Sequence, residues 1–506
     1  MDDAYITYRY ARNVVHLHGP VYNPGEHVEG SSTFLFVILL AFFMLIGVPP
    51  TVAAPGLGIL AFAGLSLVSN AIVQLVVRDR SRHLLGILAA VLVTASTPLA
   101  YYAASGMETT VYCFLVLLGL YLYLRSAILE RSARAWPVVF ALAALTRPEG
   151  AWFFGLVFGI DFLRRWTESA KRRTFLQDTL RTLGWFAIIF GPFLLFRRAY
   201  YGEWVPNSVI AKSGAMDPIK RMKLAVAVKA LWSGPGIGMA KDYLEKMGIA
   251  AFVAPLGLLR LRTRYPVVLL LAFCGACVTV AVWNEGDWFP YFRLLTPAFA
   301  PLAVLVALGL RAILFQIEQQ RLRWLVATAL SLFLVGYTTD RLYFERNYRF
   351  PHTQVTDYMK WLGGKMNAVA RDDDVLATDM AGIIPYYAGV RVIDTFGLCD
   401  AHIAHHGERR SRMGKTEWTY VFARKPTYYQ FNFPGRVKLT YQDPAFKDQV
   451  NDYWALITPG YLNIRSPDRK LLLVRKDRPE LERLVEATGG TLKDPRDELR
   501  RLGMWP

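Results

Sequence analysis

Long apolar runs alternate with short polar loops over the first two thirds of the chain. Runs of about 15 to 25 mainly apolar residues predict helices that cross a bilayer core of about 30 Å. Ten such spans are predicted, near residues 52–77, 84–100, 110–126, 136–147, 150–163, 183–199, 246–260, 266–283, 294–313 and 321–339. The fourth and fifth runs are short, and only Arg147-Pro148-Glu149-Gly150 separates them. Such a helical pair is tolerated when its polar turn lines a water-filled cavity.

The apolar periodicity stops near residue 340, and short β-like runs then alternate with helical stretches. Strands are predicted at 374–379, 390–394 and 470–475, and helices at 353–370 and 478–488. We therefore predict a polytopic helical membrane domain over 1–339 and a soluble α/β domain over 340–506. The sequence shows no inverted half-to-half repeat of the kind that many transporters carry.

The basic residues lie where membrane topology tends to place them. The chain carries a net charge of +18, and many of its Lys and Arg residues gather in loops at 78–82, 125–134, 164–182, 260–264 and 316–323. The positive-inside bias predicts that these loops are cytoplasmic. Nucleic-acid binding is a poor explanation of the charge, because the chain has no soluble basic stripe interleaved with aromatic residues.

The other loops then fall together on the extracytoplasmic side. These loops are 105–109, 147–150, 200–245, 283–288 and the chain after about 340. The same parity places residues 1–31 outside, if residues 34–48 lie along the membrane interface. Acids near membrane spans tend to face a cavity or each other, because a charge at the bilayer centre costs a few kcal/mol. Convergence of so many polar loops favours a site on this face over ordinary loop polarity.

An ordered set of motifs runs through these loops. In chain order they read DDAYITYRYARN, GPVYNPGEHVEGSSTFLF, SGMETTVY, LTRPEG, YYGEWVPNSVIAK, NEGDWFPYFRLLTP and IPYYAGVRVIDTFGLCDAHIA. Together they resemble the integral-membrane glycosyltransferases of the GT-C superfamily, and most of all the branch that includes the mycobacterial terminal arabinofuranosyltransferases and many bacterial relatives. The resemblance extends from Asp2 to about Ala404.

The resemblance implies a GT-C-like helical bundle that takes sugars from a polyprenyl phosphate on the outer side of the membrane. In that superfamily an acid or acidic pair in the first external loop serves as or near the catalytic base, and the matching positions here are Asp2 and Asp3. A span normally precedes that pair, whereas Met1 stands directly before it. We therefore expect a first span to be missing, through a late start site or a real truncation, and the full protein to have eleven or more spans.

The acidic pair suits base catalysis. Transfer from a phospho-polyprenol needs a base for the acceptor hydroxyl proton, and burial beside a second acid raises the pKa of one carboxyl into a useful range. On a helix, adjacent residues point about 100° apart, so only one of the pair faces the reacting carbon. The resemblance favours Asp2 as the base and Asp3 as its acidic partner. The alternative is that the pair opens a helix electrostatically.

Cationic residues that could hold the departing phosphate are Arg9, Arg147, Lys212 and Arg293. Arg is a bidentate phosphate clamp, whereas Lys acts as a point charge. Arg147 has a structural alternative, a pair with Glu149, and Lys212 and Arg293 could instead anchor at the interface. Further substrate-binding candidates in the same motifs are Glu29, Glu108, Glu149, Asn207, Glu285, Asp287 and Trp288. For Trp288 the alternative is an aromatic belt at the interface.

Metal binding is less convincing. His402, His405, His406 and Glu408 have helical spacing, but no second cluster completes a coordination shell. Asp2 and Asp3 with Glu108 could hold Mg or Mn. We therefore predict no definite metal site, and a divalent cation, Mg or Mn, remains an alternative.

The leading hypothesis is an inverting membrane glycosyltransferase in the bacterial inner (plasma) membrane. It would transfer a sugar from a polyprenyl-phosphate donor to a glycan, lipid or protein of the cell envelope. The alternatives are a transporter or flippase of a lipid-linked intermediate, and a non-catalytic assembly or glycan-binding protein. A transporter would place its polar groups near the midplane, so paired acids and a large external domain favour the enzyme.

Overall fold

The computed structural model describes residues 1–129, 135–168, 172–212, 235–259, 261–284, 286–287, 289–314, 316–319, 321–322, 325–326, 328–330, 332–333, 336, 352–411, 414–430, 449–458 and 472–501. Helices dominate the part before residue 315. They are α1 (Asp2–Val15), α2 (Phe34–Leu45), α3 (Pro50–Val76), α4 (Arg82–Thr94), α5 (Thr97–Ala104), α6 (Thr109–Leu129), α7 (Ala135–Thr146), α8 (Glu149–Glu168), α9 (Arg172–Tyr201), α10 (Asn207–Lys212), α11 (Pro235–Met247), α12 (Ile249–Val253), α13 (Leu261–Trp283) and α14 (Thr296–Leu314). Short 3₁₀ helices cover Ala254–Leu259 and Arg293–Leu295.

Five helices are long and apolar enough to cross a membrane within the described ranges. They contain Pro50–Val76, Thr109–Leu129, Phe175–Tyr201, Arg264–Trp283 and Arg293–Leu314. All five match predicted spans. The count rises to six if α4 and α5 together form one broken span.

The other predicted spans differ from straight crossing helices. The run 84–100 forms α4 and α5, which meet at an angle of 56°. Pro98 lies in the first turn of α5, where its missing N–H is tolerated, and it could not continue α4. The runs 136–147 and 246–260 form shorter apolar helices, as does α2. Helix α8 covers the run at 150–163, but it carries Asp161, Arg164 and Arg165 in its second half. The run 321–339 lies largely outside the described residues.

The other membrane helices pack around α14. A continuous apolar core joins α3, α4, α6, α7 and α13 to this helix, and 83% of its apolar window is buried inside the protein. Small residues allow the closest approaches, because a Cβ at Gly309 of α14 would overlap the backbone of Val253. Helix α14 therefore lies inside the bundle.

The C-terminal region is a small α/β unit. Its helices are α15 (His352–Ala368), α16 (Ile383–Ala388), α17 (Ala401–His406), α18 (Trp418–Ala423), α19 (Leu481–Thr488) and α20 (Pro495–Arg501). Its strands are β1 (Val375–Thr378), β2 (Arg391–Asp394), β3 (Glu408–Ser411), β4 (Gly414–Thr416), β5 (Tyr428–Gln430), β6 (Tyr453–Ile457), β7 (Leu472–Arg475) and β8 (Thr491–Lys493). The main sheet has the order β2-β1-β5-β7-β6-β8. Strand β1 runs parallel to β2 and β5, and the other pairs are antiparallel.

This unit confirms the predicted fold class of a helical membrane region followed by an α/β domain. Strands β1, β2 and β7 lie inside the three predicted strands, and α15 and α19 inside or beside the two predicted helices. The boundary at residue 340 falls outside the described residues and stays a prediction. Apolar side chains of α1, α2 and α5 share one core with α15, α16 and the sheet, so the two regions pack through an apolar interface.

Candidate active site

The acidic pair begins α1 and lies against the C-terminal unit. The backbone N–H of Ile383, at the start of α16, donates to Oδ1 of Asp2 over 2.7 Å. Both Asp2 and Asp3 keep part of their surface accessible. Most of the residues of helix α1 that follow the pair are buried. The pair therefore lies where the membrane helices and the soluble unit meet.

Burial raises the pKa of Asp2 to about 7. The hydrogen bond from Ile383 acts in the opposite direction, because it favours the ionised form, and the negative charge of Asp3 raises the pKa further. A carboxyl with a pKa near the working pH accepts a proton efficiently in a transition state. Asp2 thus has the electrostatic setting of a general base.

Asp3 faces a different set of groups. Burial raises the pKa of Asp3, whereas the charges of Arg293 and Lys212 lower it. The negative charges of Asp287 and Glu108 act on the same carboxyl and raise its pKa. Four predicted site residues from three separate loops therefore lie within electrostatic reach of Asp3.

The RPEG turn is an ion-paired cluster. Arg147 donates from Nη1 to Oε1 of Glu108 over 2.7 Å and from Nη2 to Oε1 of Glu149 over 3.1 Å. A further bond of 3.3 Å joins Nε of Arg147 to the second oxygen of Glu149. The side chains of Arg147 and Glu108 are only 15% and 6% exposed. This geometry matches the structural alternative for Arg147, the pair with Glu149, and adds Glu108 as a second partner.

Asp287 and Arg293 form a second buried pair. Nε of Arg293 lies 2.7 Å from Oδ2 of Asp287, and Nη2 lies 3.3 Å from Oδ1. The guanidinium also covers the ring of Phe289, with Cζ 3.8 Å from the ring centroid. Arg293 begins the 3₁₀ helix that leads into the enclosed helix α14. The candidates Glu285 and Trp288 of the same loop lie outside the described residues.

Lys212 ends the short helix α10 and points its charge at the same cluster. The groups that act on it include Arg293, Asp3, Asp287 and Arg147. Burial lowers the pKa of Lys212, the charge of Arg293 lowers it further, and the charge of Asp3 raises it. Arg293 forms an ion pair with Asp287. No carboxylate of the described residues lies within ion-pair distance of Lys212. Among the described cations of this cluster, Lys212 is the one that makes no ion pair with a described carboxylate.

Three other predicted site residues make connections that hold the fold. Arg9 is 2% exposed and donates to the carbonyls of Tyr22, Pro385 and Val390, and to Oδ1 of Asn23. The structure does not bring Arg9 to the cluster around Asp3. These bonds join α1 to the soluble unit. Because they use most of the guanidinium N–H donors, few donors remain for a substrate.

Glu29 and Asn207 make a second connection of this kind. Glu29 accepts two bonds from Arg197, of 2.7 and 3.0 Å, and its carbonyl accepts from the backbone N–H of Asn207. The side-chain amide of Asn207 donates to the carbonyls of Gly397, Leu398 and Asp400. Asn207 therefore ties the start of α10 to the soluble unit, and α10 carries Lys212 at its other end.

The sequence pattern did not single out Arg197, Gly382 or Ile383. Arg197 lies 168 residues from its partner Glu29, and no local signal connects the two. Ile383 acts through its backbone N–H, which every residue except proline has. Gly382 and Ile383 lie directly before the last motif, which begins at Ile384, so the motif stops short of both positions.

The described residues offer no cluster that fits a metal ion. No group of three or more His, Cys, Asp or Glu side chains converges in the part of the chain that the structure describes. Glu108 is paired with Arg147, and Oδ1 of Asp2 accepts from Ile383. His402 and His405 face Glu417 and Glu203 separately. We therefore derive no chemical step through a metal.

Comparisons with known proteins agree with this architecture. A domain of unknown function (DUF8728) matches residues 343–473. The terminal beta-(1->2)-arabinofuranosyltransferase of Mycobacterium tuberculosis (strain ATCC 25618 / H37Rv) is 27% identical over 364 residues, which cover 66% of this chain and 56% of that protein. The chain thus spans little more than half the length of this curated relative.

Solved structures of two other proteins share the fold. The archaeal oligosaccharyltransferase AglB from Archaeoglobus fulgidus, in complex with an inhibitory peptide and a dolichol-phosphate, has a TM-score of 0.52 at 14% identity, over 94% of this chain and 70% of that one. ArnT from Cupriavidus metallidurans, bound to undecaprenyl phosphate, has a TM-score of 0.53 at 11% identity, over 94% of this chain and 93% of that one. The resemblance predicted from the motifs is confirmed: this multi-pass membrane protein has the fold of the GT-C superfamily glycosyltransferases and is similar to their terminal arabinofuranosyltransferase branch.

Proposed function

We propose that the chain is an inverting glycosyltransferase that moves a sugar from a polyprenyl-phosphate donor to an acceptor hydroxyl of the cell envelope. One observation carries the proposal: an acidic pair lies at the junction of the two regions, and its second member faces Lys212 and Arg293. The pair would thus supply a base, Asp2, beside a second acid that faces the cations for the leaving phosphate, and such a transfer needs both functions. The fold and the curated relative support the same reaction class.

In the proposed step, the acceptor hydroxyl oxygen attacks the anomeric carbon. The bond between that carbon and the phosphate oxygen breaks, and its electron pair leaves with the polyprenyl phosphate. The hydroxyl proton passes to Asp2, whose pKa of about 7 suits this transfer. Since attack and departure occur on opposite faces of the carbon, the anomeric configuration inverts.

The three cationic side chains are proposed to play different roles in this step. Lys212 would bind the phosphate directly, because its charge has no carboxylate partner among the described side chains, and Arg293 would assist while still bound to Asp287. Arg147 is already held between two carboxylates, so we assign it to support of the RPEG turn. Asp3 would balance Lys212 and Arg293 and keep them in place before the donor binds.

The lipid-linked donor is supported by two neighbours of the same fold. One was solved with a dolichol-phosphate and the other with undecaprenyl phosphate. The identity of the sugar stays open between pentose and hexose, although the curated relative transfers arabinofuranose. The acceptor is proposed as a glycan, lipid or protein.

The reaction side is proposed from topology. Asp3 on α1, Glu108 before α6, Arg147 before α8 and Arg293 before α14 act on one another, so the loops that bear them meet on one side. The positive-inside bias assigns the opposite, basic loops to the cytoplasm. We therefore propose that the site and the soluble unit are extracytoplasmic, in a bacterial inner membrane.

Transfer of radiolabelled sugar tests the proposal. Purified full chain would be incubated with a panel of polyprenyl-phosphate sugars and membrane extract, beside Asp2→Asn, Asp3→Asn and the control Asp497→Asn, whose carboxyl is 74% exposed on α20. Loss of the general base is expected to lower kcat by about 100- to 10,000-fold in Asp2→Asn. We expect a smaller loss in Asp3→Asn and none in the control. Wild-type rates in Asp2→Asn would overturn the assigned base, and movement of labelled lipid without sugar transfer would identify a transporter.

A further inference from the structure

The soluble unit touches the acidic pair through one short turn. Gly382 packs so closely on Asp2 that a Cβ at this position would overlap the carbonyl oxygen and the carboxyl carbon of Asp2. The next residue, Ile383, donates its N–H to the Asp2 carboxylate over 2.7 Å. Both residues are buried. The turn and the acid are therefore fitted to each other at the level of single atoms.

The turn is itself fixed to the membrane region on both sides of Gly382. The hydroxyl of Tyr22 donates to the carbonyl of Ala381 over 2.5 Å, and Nη1 of Arg9 donates to the carbonyl of Pro385 over 2.7 Å. Arg12 donates to the carbonyl of Tyr386 over 2.7 Å. These bonds place the N–H of Ile383 independently of its bond to Asp2.

We propose that Gly382 and the N–H of Ile383 are positioning groups for the base, so that the soluble unit completes the active site of the membrane region. This inference rests on the proposed role of Asp2. The N–H of Ile383 holds Oδ1 of Asp2, the backbone N–H of Gly382 acts on the same carboxyl, and Oδ2 is proposed to receive the acceptor proton. It also fixes the plane of the carboxyl, in the way that a third group orients the base of a catalytic triad. Glycine is needed at 382 because any larger residue would push the carboxyl away.

The bond also sets the pH at which the base works. The titratable groups that interact with Asp2 include Asp3, Tyr22 and the amino group of Met1, and the backbone N–H groups of Ile383 and, more weakly, Gly382 favour its ionised form. Loss of a donor to the ionised form raises the pKa of a carboxyl. Activity requires the ionised base and is lost as the pH falls through its pKa. Removal of the N–H should therefore move the acidic limb of the activity profile to higher pH.

The test compares two glycine variants. Gly382→Ala adds the methyl group that would overlap Asp2, whereas Gly364→Ala adds a methyl group on α15 where nothing lies within 4 Å. We expect kcat to fall roughly tenfold or more in Gly382→Ala, because small displacements of a catalytic group are costly. The acidic limb of its kcat/KM profile should rise, while KM for the donor changes little. Gly364→Ala should match the wild type in both.

A second pair of variants keeps the test decisive if Gly382→Ala does not fold. Tyr22→Phe removes the hydroxyl that holds Ala381 and leaves the side-chain shape unchanged, while Tyr453→Phe removes a similar buried bond, to the carbonyl of Pro426, inside the sheet. We expect a smaller loss of kcat and a smaller rise of the acidic limb in Tyr22→Phe alone. Wild-type kcat and pH profile in folded Gly382→Ala, or in Tyr22→Phe where the first is unfolded, would overturn the inference.

The two proposals fail in different ways. If Asp2→Asn transfers sugar at the wild-type rate, the assigned base is wrong and the positioning role is lost with it. If Asp2→Asn is inactive while the Gly382 and Tyr22 variants keep the wild-type profile, only the positioning role is wrong.

Discussion

Three cationic side chains share the candidate site, yet their surroundings differ in the number of carboxylates that they already meet. Arg147 is bound to Glu108 and Glu149, and Arg293 is bound to Asp287. Lys212 has no such partner among the described residues. An arriving phosphate would therefore gain most from Lys212, because it does not have to displace a carboxylate there.

Replacement of Lys212 should weaken donor binding selectively. In Lys212→Gln we expect KM for a polyprenyl-phosphate sugar to rise about 10- to 100-fold, since a hydrogen bond to a charged group contributes about 1.5 to 3 kcal/mol. Lys212→Arg should retain much of the affinity. The measurement is the initial rate over a donor series, with Lys493→Gln on the exposed edge of β8 as the control. An unchanged KM in Lys212→Gln would remove Lys212 from the donor site.

At the level of single residues, the sequence predicts what is local. The pair of Arg147 and Glu149 could be anticipated, because only Pro148 separates them at a membrane-depth turn. The pair of Glu29 and Arg197 could not, because its partners come together only when α9 packs beside the first loop. The role of a backbone N–H, as at Ile383, is likewise invisible to residue type.

Among the elements, α10 shows how a short helix can be held from one end. A six-residue helix has little stability of its own, so its position depends on Asn207. That amide reaches three carbonyls of the soluble unit, and Lys212 follows at the last position of the helix. The soluble unit thus positions Lys212, which is proposed to bind the phosphate, as well as Asp2 on α1.

Loss of the bonds from Asn207 should weaken donor binding and leave the pKa of Asp2 unchanged. In Asn207→Ala we expect KM for the donor to rise about tenfold, because an unsatisfied set of carbonyls costs about 1 to 3 kcal/mol and releases α10. The pH profile should stay unchanged, since Asp2 keeps its own contacts. Donor kinetics and thermal unfolding would be compared with Asn367→Ala, which loses one bond to the carbonyl of Ala388. A rise in KM of the same size in the control would indicate general loosening instead.

The length of an apolar run predicts well where a membrane helix lies, but it does not predict whether that helix is continuous. The long uniform runs at α3, α6, α9, α13 and α14 were predicted correctly. The run 84–100 is equally apolar but breaks before Thr97, where Ser96 leaves the helical conformation and Pro98 occupies the first turn of α5. Proline marked this break, yet apolar composition alone does not report it.

In the whole molecule, the membrane and soluble regions are joined by buried polar bonds as well as by apolar packing. Arg9 alone reaches Tyr22 and Asn23 in the first loop and Pro385 and Val390 in the soluble unit. Arg391 on β2 joins the same two regions through Glu26, but its side chain is 53% exposed. The two arginines therefore offer a matched comparison of a buried and an exposed connection.

Arg9→Met should destabilise both regions together. It removes one hydrogen bond from each of three buried carbonyls and an amide oxygen. Other donors still reach the acceptors on Tyr22, Asn23 and Pro385, so the loss falls mainly on the carbonyl of Val390, and an unsatisfied buried acceptor costs about 1 to 3 kcal/mol. Arg391→Met should change stability by no more than about 1 kcal/mol, as is usual for exposed ion pairs. Thermal unfolding in detergent, followed for each region by proteolysis, would measure both. We expect the two regions of Arg9→Met to lose protection at the same lowered temperature, because they share one core. If the soluble region kept its wild-type protection while the membrane region lost it, the regions would be independent units, and the active site could not depend on their union as proposed.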